Sequence, residues 1–517
     1  MSKVYTMDQA MDLVQSGDTL ACSCFGMAAF CEEMMIALEK RFLETGTPRD
    51  LTAISASGNG DWNGAGWDHL AHEGLLKKMI CAFFAADLGI SEMINNNKIE
   101  AYNLPQGVIV DLYRDIMRGY KGELTKVGLH TFVDPRLGGG RLNANTTEEI
   151  VHVTEFQGEE WLFYDAPHID VAFIRGTTAD KNGNISIEHE SLPTDIKLLA
   201  MATKACGGKV IAQVKYLADT LTSDSVEVPG IFVDAVVVSK EPMKYHRQAG
   251  KIYYEPSISG HINVPLDSIP SSTLNEKKVI SRRAAMELKI GDIINLGIGT
   301  PEGIALVANE EGMVNDLILT TESGAIAGVA LGGTEFGAVR NAWAVADQIT
   351  QFDFYDGNGL DTTFLGLAQA DETGNVNVSK FGPKIAGCGG FINITQRTHK
   401  IVYCGTFTAG GLKVKVGDGK LTIVQEGKRK KFLAAVEQIS FSGRYAAELG
   451  QDVLYVTERA VFKLTPDGME LIEIAPGVDL EKDILALMDF KPIISKDLKV
   501  MDERIFRDEP MGLKSDC

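Results

Sequence analysis

A diverged internal repeat constrains the fold of this chain more than any single motif. Gly17-Asp18 and the apolar run 19–22 recur as Gly291-Asp292 and the apolar run 293–296, at an offset of 274 residues. In each copy the Gly-Asp pair ends a helical pattern, and the apolar run that follows it is typical of a buried strand. The chain is therefore expected to build one type of strand-and-helix unit twice.

A second set of identical residues recurs at an offset of 191 residues. In one register, the first copy holds Phe163, Tyr164, Asp165, Asp170, Phe173, Ala179, Asp180, Gly183 and Asn184, and the second Phe354, Tyr355, Asp356, Asp361, Phe364, Ala370, Asp371, Gly374 and Asn375. Because the offset falls from 274 to 191, the first half must carry extra residues, which we place around 106–160.

Short apolar strands alternate with helical patterns in both halves, which predicts an α/β fold of two related open-sheet domains in tandem. Lys209–Val214 and Ile231–Ser239 read as buried strands, and a helix is expected to open at Ser281. A cleft between two such domains is the natural place for a ligand, so we expect the active site there.

With 517 residues, the chain exceeds the usual limit for one hydrophobic core. We predict an N-terminal domain over 1–255, a linker over 256–273 that is rich in proline and serine, and a C-terminal domain over 274–517.

The chain has 50 basic and 70 acidic residues, a net charge of −20, which argues against binding to nucleic acid or to an anionic membrane surface. No apolar stretch approaches the roughly 20 residues of a membrane-spanning helix, and the N-terminus lacks the apolar core of a signal peptide. These features predict a cytoplasmic protein.

Glu322 follows the apolar strand pattern 316–321 and precedes Ser323-Gly324. The carboxyl ends of strands in an open α/β sheet are where ligands bind, so this spacing presents a carboxylate at the expected site. The alternative is a turn glutamate that caps the next helix.

Two glycine-rich segments are candidate donors of backbone N–H groups. Gly297 and Gly299 precede Thr300, a candidate N-cap, and Pro301, a candidate first helical residue, and such a helix start suits a phosphate or carboxylate. The segment 386–394 holds three glycines in four residues, which let a backbone approach a ligand closely, although a plain tight turn explains it equally well.

Gln106 lies between a predicted strand and a predicted helix, as a surface cap or as a donor that faces the cleft. With this segment and the motifs above, the chain resembles the family I CoA-transferases, and in particular the single-chain propionate/acetate CoA-transferases of anaerobic bacteria. The most specific segments are Glu322-Ser323-Gly324-Ala325, residues 382–393, residues 404–412, residues 71–76 and Gln106-Gly107.

The resemblance implies a role for each of these sites. Glu322 is the expected nucleophile and Gln106 an oxyanion donor. The expected oxyanion and CoA contacts are Gly387, Gly389, Gly390, Phe391, Asn393, Gly297 and Gly299. The family also implies acyl-CoA and a carboxylic acid as substrates, and a homo-oligomer, dimer or tetramer. Coenzyme A serves as substrate and as a covalent glutamyl thioester, and no metal is needed because one thioester is exchanged for another.

The turn expected to line the acyl pocket departs from the family pattern. It contains Phe25, Gly26, Met27 and Ala28, and Cys31 stands where we expect a proline. Short-chain acids such as acetate, propionate, lactate and butyrate are the first expectation for the acceptor. A larger acid such as a hydroxycinnamate is the alternative. An acyl-CoA thioesterase and a non-catalytic CoA sensor are further possibilities on the same scaffold.

Overall fold

The computed structural model describes residues 3–265, 272–297 and 299–515. They form two compact units. The first comprises Met1–Val264, Glu322–Asp353 and Gly382–Asn393, and the second Pro265–Thr321, Phe354–Phe381 and Ile394–Cys517. Part of the predicted linker (266–271) and Ile298 of the predicted Gly-x-Gly turn lie outside the described residues. The domain boundaries and the cleft stay predictions.

A parallel sheet forms the centre of the first unit. Its strands are β1 (Thr19–Cys22), β2 (Leu51–Ser55), β3 (Leu76–Cys81), β4 (Glu100–Asn103), β5 (Val171–Arg175), β6 (Lys209–Val214) and β7 (Ala235–Val238). Their order is β7-β6-β5-β1-β2-β3-β4, and every neighbouring pair is parallel. Most of these strands are buried along their length, as a sheet covered on both faces requires.

Helices connect these strands. They are α1 (Met7–Met11), α2 (Glu32–Thr45), α3 (Leu88–Asn95), α4 (Gln106–Arg118), α5 (Ile196–Ala205) and α6 (Pro242–Tyr245). The predicted strand over Ile231–Ser239 is wrong at its start, because Gly230–Phe232 forms a 3-10 turn in which the Phe232 N–H donates to the Pro229 carbonyl and the Val233 N–H to the Gly230 carbonyl. The residues around 106–160, where the extra sequence was placed, hold α4 and an antiparallel sheet of Gly122–Thr125, Val151–Phe156 and Glu159–Asp165.

The second unit also contains a sheet with a parallel core. Its strands are β8 (Ile293–Leu296), β9 (Ile318–Thr320), β10 (Thr362–Gly366), β11 (Lys400–Cys404), β12 (Asp452–Val456), β13 (Ala460–Thr465), β14 (Gly468–Ile474) and β15 (Ile493–Val500). Within this unit their order is β9-β8-β10-β11-β12-β13-β14-β15. The pairs from β9 to β12 are parallel, whereas β13 runs antiparallel to both of its neighbours.

The remaining helices are α7 (Glu276–Ala285), α8 (Glu302–Glu310), α9 (Gln348–Asp356), α10 (Phe391–Arg397) and α11 (Gly443–Glu448). Helix α7 begins before the predicted Ser281, because the Asn275 side chain caps it by accepting a hydrogen bond from the Lys278 N–H. The shorter strands are Thr178–Asp180, Ile185–Ser186, Tyr216–Ala218, Ala325–Ile326, Val329–Ala330, Val339–Arg340, Ala344–Val345, Gln369–Asp371, Val376–Asn377, Lys380–Phe381, Lys384–Ile385, Thr408–Ala409, Lys413–Gly417, Lys420–Gln425, Arg429–Lys430 and Phe432–Leu433.

The strand register confirms the internal repeat. In the first unit Leu20 of β1 pairs with Val171 of β5, and in the second unit Ile294 of β8 pairs with Thr362 of β10. These two pairs are related by the offsets of 274 and 191 residues that the sequence contains. The two related open sheets of the predicted α/β fold are therefore present.

One hydrogen bond is repeated with the same offsets. The Asp170 carboxylate accepts from the Thr19 N–H at 2.9 Å, and the Asp361 carboxylate accepts from the Ile293 N–H at 2.8 Å. Each aspartate thereby satisfies the first N–H of the strand next to its own, a group that would otherwise lack a partner.

The match of Phe163–Asp165 with Phe354–Asp356 is wrong as a structural equivalence. The first segment lies in the antiparallel strand Glu159–Asp165, whereas the second ends helix α9. Identical residues adopt different structures here because their neighbours along the chain differ, and tertiary context overrides local propensity.

Among the described residues, none of the helices combines the length and the apolar character that crossing a membrane requires.

Candidate active site

Glu322 lies in a tight turn that leads into the short strand Ala325–Ile326. Gly324 has φ +110°, and a Cβ at this position would lie 2.0 Å from the Ala346 carbonyl oxygen. The buried Ser323 hydroxyl donates to the Gly337 carbonyl at 2.7 Å. The alternative role of Glu322 as a helix cap is wrong, since a strand follows it. The turn instead fixes the backbone on either side of the half-buried Glu322.

The predicted turn at Gly387–Gly390 packs against the segment that follows β3. A Cβ on Gly387 (φ +83°) would lie 2.5 Å from the Ala82 carbonyl oxygen, and the Gly389 N–H donates to that same carbonyl at 2.8 Å. The Cys388 N–H donates to the Asn103 side chain at 3.0 Å. The close approach of the two backbones thus requires glycine at position 387. The N–H groups of residues 388 and 389 already donate hydrogen bonds to Asn103 and to the Ala82 carbonyl.

Gln106 begins helix α4 directly after β4, where the sequence places it between strand and helix. Its backbone N–H donates to the Gly389 carbonyl at 3.0 Å. The next N–H, of Gly107, donates to Asn393 Oδ1 at 3.1 Å, and a Cβ on Gly107 would lie 2.4 Å from Asn393 Nδ2. The start of α4 is therefore fixed to the predicted glycine turn and to Asn393, both of which come from much later in the chain.

Gly390 lies beside the predicted nucleophile. A Cβ built on Gly390 would be 3.5 Å from the Glu322 Cβ and 3.2 Å from the Phe352 ring. No described residue accepts a hydrogen bond from the Gly390 N–H. Glu322, Gln106 and the glycine turn, which the sequence separates widely, are thus brought together within the first unit. The buried Phe391 and Asn393 follow directly in α10.

Sequence reasoning missed Asn103 and Gln348. Asn103 ends β4, accepts from the Cys388 N–H and donates to the Ala82 carbonyl at 2.7 Å. Its signal was a polar residue at the carboxyl end of a buried strand, just before Leu-Pro-Gln. Gln348 has no comparable local signal, because only folding brings it to Gln106 Nε2, which donates to Gln348 Oε1 at 2.9 Å.

The predicted acyl-pocket residues form a closed turn. Phe25 and Ala28 exchange hydrogen bonds of 3.1 and 3.0 Å, and Gly26 between them has φ +54°. Phe25 and Ala28 are buried in an apolar cluster, whereas Met27 is half-buried. The other members of this cluster are Leu192, Ala249, Ile252, Ile258, Leu331, Phe336 and Ala338. The turn has the apolar surroundings of an acyl pocket, and that role stays a prediction.

Gly297 and Gly299 belong to the second unit and their N–H groups have partners. Gly297 donates to the Phe364 carbonyl at 2.8 Å, and Gly299 donates to the Glu302 carboxylate at 2.9 Å. The expected cap at Thr300 is wrong, since α8 begins at Glu302 and Pro301 precedes it without a side-chain cap. Contact of Gly297 and Gly299 with CoA stays a prediction. For Gly299 it requires that the Glu302 carboxylate give up the hydrogen bond from the Gly299 N–H.

A buried carboxyl group lies behind the predicted acyl-pocket turn. Ser23 donates a hydrogen bond to Asp195, and its hydroxyl lies 2.6 Å from the Thr194 hydroxyl. Burial raises the pKa of Asp195 from 3.8 to about 6. The protonated carboxyl is therefore favoured by the folded protein over a pH range in which the unfolded chain is ionised.

We expect Asp195→Asn to stabilise the protein more at pH 7 than at pH 5. The free energy of unfolding that the raised pKa contributes is fully present below pH 3.8 and is lost as the pH rises through about 6. The wild type should lose about 1 kcal/mol between pH 5 and pH 7 that the variant keeps. Urea unfolding at the two pH values measures this difference. An equal effect of the substitution at both pH values would contradict the prediction.

This chain is similar to known coenzyme A-transferases. Residues 4–239 match the model of the family described as Coenzyme A transferase. The chain is 47% identical to the caffeate CoA-transferase of Acetobacterium woodii over 99% of both chains. It is 46% identical to the acetate CoA-transferase YdiF of Escherichia coli K12, over 93% of this chain and 90% of that one.

A solved structure has the same fold as this chain over 99% of its length. The acyl-CoA transferase YdiF of E. coli O157:H7, in a thioester complex with CoA, superposes with a TM-score of 0.93 at 43% identity, covering 99% of this chain and 97% of that one. The CoA-transferase fold is thereby established for this chain. The chain belongs to the CoA-transferases, as a family I member related to the short-chain acyl-CoA transferases.

Proposed function

We propose that this CoA-transferase moves CoA from an acyl-CoA to a free carboxylic acid through a covalent intermediate on Glu322. The observation that carries the proposal is the position of the Glu322 Cβ, 3.5 Å from where a Cβ on Gly390 would lie. A carboxylate next to a glycine N–H that no described residue uses can attack a thioester and have the resulting oxyanion stabilised.

The reaction balances without an added proton or metal. The Glu322 carboxylate attacks the thioester carbonyl, and the carbon–sulfur bond breaks to give an acyl–glutamyl anhydride and CoA thiolate. The thiolate then attacks the glutamyl carbonyl, which forms a glutamyl–CoA thioester and releases the first acid as its carboxylate. The acceptor carboxylate attacks this thioester, and the same two steps run in reverse. Glu322 is regenerated and the acceptor leaves as its CoA thioester.

Two donors serve the oxyanions of the tetrahedral intermediates. Gln106 Nε2 carries two hydrogens, of which one is donated to Gln348, so the second is available. The Gly390 N–H is the other donor. Both are held in place before the reaction, since Gln106 is 3% exposed and its backbone is bonded to Gly389. Such preorganised donors stabilise developing charge without reorganisation.

The first substrate proposal is a short-chain acid, such as acetate, propionate, lactate or butyrate. It is supported by the similarity to the acetate CoA-transferase YdiF, which is 46% identical to this chain. The half-buried Met27 and the buried Phe25 offer the small apolar surface that such an acyl group would contact.

A hydroxycinnamate such as caffeate is the second candidate. The similarity to the caffeate CoA-transferase, which covers 99% of both chains, supports it equally. Initial rates with acetyl-CoA as donor and a panel of acids would separate the two. A higher kcat/KM for acetate and propionate favours the first candidate, and a higher value for caffeate favours the second.

The covalent mechanism has its own test. Intact-protein mass spectrometry after mixing with acetyl-CoA should detect a CoA adduct, which borohydride converts to a reduced product at Glu322. Protein that binds CoA but forms no adduct with either acetyl-CoA or propionyl-CoA would overturn the mechanism. Steady release of free thiol without an acceptor acid would instead indicate a thioesterase, because water then reaches the glutamyl intermediate.

A cytoplasmic homo-oligomer, either a dimer or a tetramer, stays a prediction. Size-exclusion chromatography with light scattering would measure the mass of the particle directly, and a mass equal to one chain of 56.1 kDa would contradict it.

A further inference from the structure

Gln348 is held by three hydrogen bonds in the interior of the first unit. It is the first residue of α9 and is fully buried. Its Oε1 accepts from Gln106 Nε2 at 2.9 Å, and its Nε2 donates to the Cys24 carbonyl at 3.2 Å. Its backbone N–H donates to the Thr194 carbonyl at 3.2 Å. A glutamine held at three points has a single orientation.

This orientation determines which end of the Gln106 carboxamide faces Gln348. Because the Cys24 carbonyl fixes the nitrogen of Gln348, Gln348 can offer only its oxygen to Gln106. A flipped Gln106 amide would place one carbonyl oxygen against another and leave two buried acceptors without a donor, which is unfavourable. Gln106 is therefore kept with its nitrogen toward Gln348.

The next turn of α9 contacts the other donor. Phe352 lies four residues after Gln348, on the same face of the helix. Its ring lies 2.8 Å from the position of a Cβ on Gly107 and 3.2 Å from that of a Cβ on Gly390. One face of α9 thus packs against the segments that carry both proposed oxyanion donors.

We propose that Gln348 is a positioning residue that acts on the reaction through Gln106. It also connects this donor to the predicted acyl-pocket turn, since Cys24 directly precedes Phe25. The inference rests on the proposed function, because it assumes that Gln106 stabilises an oxyanion. It predicts that Gln348 matters only while Gln106 is present.

A double-mutant cycle tests this dependence. Gln348→Met should lower kcat by about 10- to 100-fold, because a displaced donor no longer meets the oxyanion, while the KM for acetyl-CoA changes less than about 3-fold. Gln106→Met should lower kcat by about 100- to 1,000-fold. If Gln348 acts through Gln106, the double variant is no slower than Gln106→Met alone. Fold losses that multiply in the double variant would overturn the inference.

Gln351 provides a matched control on the same helix. It is 2% exposed, and its side-chain nitrogen has no hydrogen-bond partner among the described residues. Gln351→Met should change kcat less than about 3-fold, and its effect should multiply with that of Gln106→Met. An equal loss of kcat in the Gln351 and Gln348 variants would indicate general loosening of α9 and would also overturn the inference.

A second variant and an adduct assay distinguish a failed fold and a failed mechanism from a wrong role of Gln348. Gln348→Asn retains a buried amide but is one methylene too short to join Gln106 and Cys24, so it gives the same cycle if the methionine variant does not fold. The CoA adduct of the wild type is measured in parallel. Absence of that adduct removes the proposed function itself, whereas an adduct with multiplicative losses removes only the role of Gln348.

Discussion

Glu322→Gln should lower kcat by about 10⁴-fold or more, the largest effect expected from any single substitution in this chain. A carboxamide is nearly isosteric with the carboxylate but is too weak a nucleophile to form the anhydride. The turn should survive, because Gly324 and Ser323 fix it through the backbone and through the Gly337 carbonyl. Steady-state rates and intact mass spectrometry measure the loss, and the variant should form no borohydride-reducible adduct.

Controls separate lost chemistry from lost folding. Glu448→Gln, at an exposed position in α11, should keep full activity and adduct formation. The urea midpoint of Glu322→Gln should remain close to that of the wild type, and Glu322→Ala repeats the test without any side-chain carbonyl. Adduct formation in both Glu322 variants would show that another residue is the nucleophile.

Gln106→Met should produce the second largest effect, a fall in kcat of about 100- to 1,000-fold with little change in the KM for acetyl-CoA. The substitution removes one oxyanion donor while methionine fills a similar volume. It also leaves Gln348 Oε1 buried without a donor, which should cost about 1–3 kcal/mol of folding free energy. Rapid-quench mass spectrometry should detect the CoA adduct forming slowly, in contrast to its absence in the Glu322 variants.

The adduct distinguishes the two roles. If Gln106 stabilises an oxyanion, its variant reaches the same adduct as the wild type at a lower rate. Unchanged adduct formation combined with a large rise in KM would instead assign Gln106 to substrate binding. Gln351→Met again serves as the control, at a buried glutamine whose side-chain nitrogen has no hydrogen-bond partner among the described residues.

The two halves of the fold were predictable because each relies on a local rule. The strands Thr19–Cys22 and Ile293–Leu296 begin directly after Gly17-Asp18 and Gly291-Asp292, where the sequence predicts, whereas the preceding helices end earlier than predicted, at Met11 and Ala285. A capping box at the start of α1 follows a local rule of the same kind: the Thr6 hydroxyl accepts from the Gln9 N–H, and the Gln9 side chain accepts from the Thr6 N–H. Signals carried by adjacent residues persist in the folded chain.

The errors arose where a distant or flanking group decided the local structure. The strand expected from Ile231 begins at Ala235 because a 3-10 turn forms first, and α7 begins early because Asn275 caps it. Phe163–Asp165 and Phe354–Asp356 have the same sequence and different structures. The intrinsic propensities of three residues for strand and for helix differ by too little free energy to decide between them, so tertiary contacts decide.

The α/β class and the internal repeat could be read from the sequence, which also made Glu322 and the glycine-rich segment 386–394 candidates for the site. The packing of the folded chain brings the groups of the site together. It placed Gly390 against Glu322, joined Gln106 to Gly389 and, through Gln348, to the Cys24 carbonyl. A residue's local conformation depends mainly on its neighbours along the chain, so it leaves a signal in the sequence. Its hydrogen-bond partner depends on the packing of segments up to hundreds of residues apart.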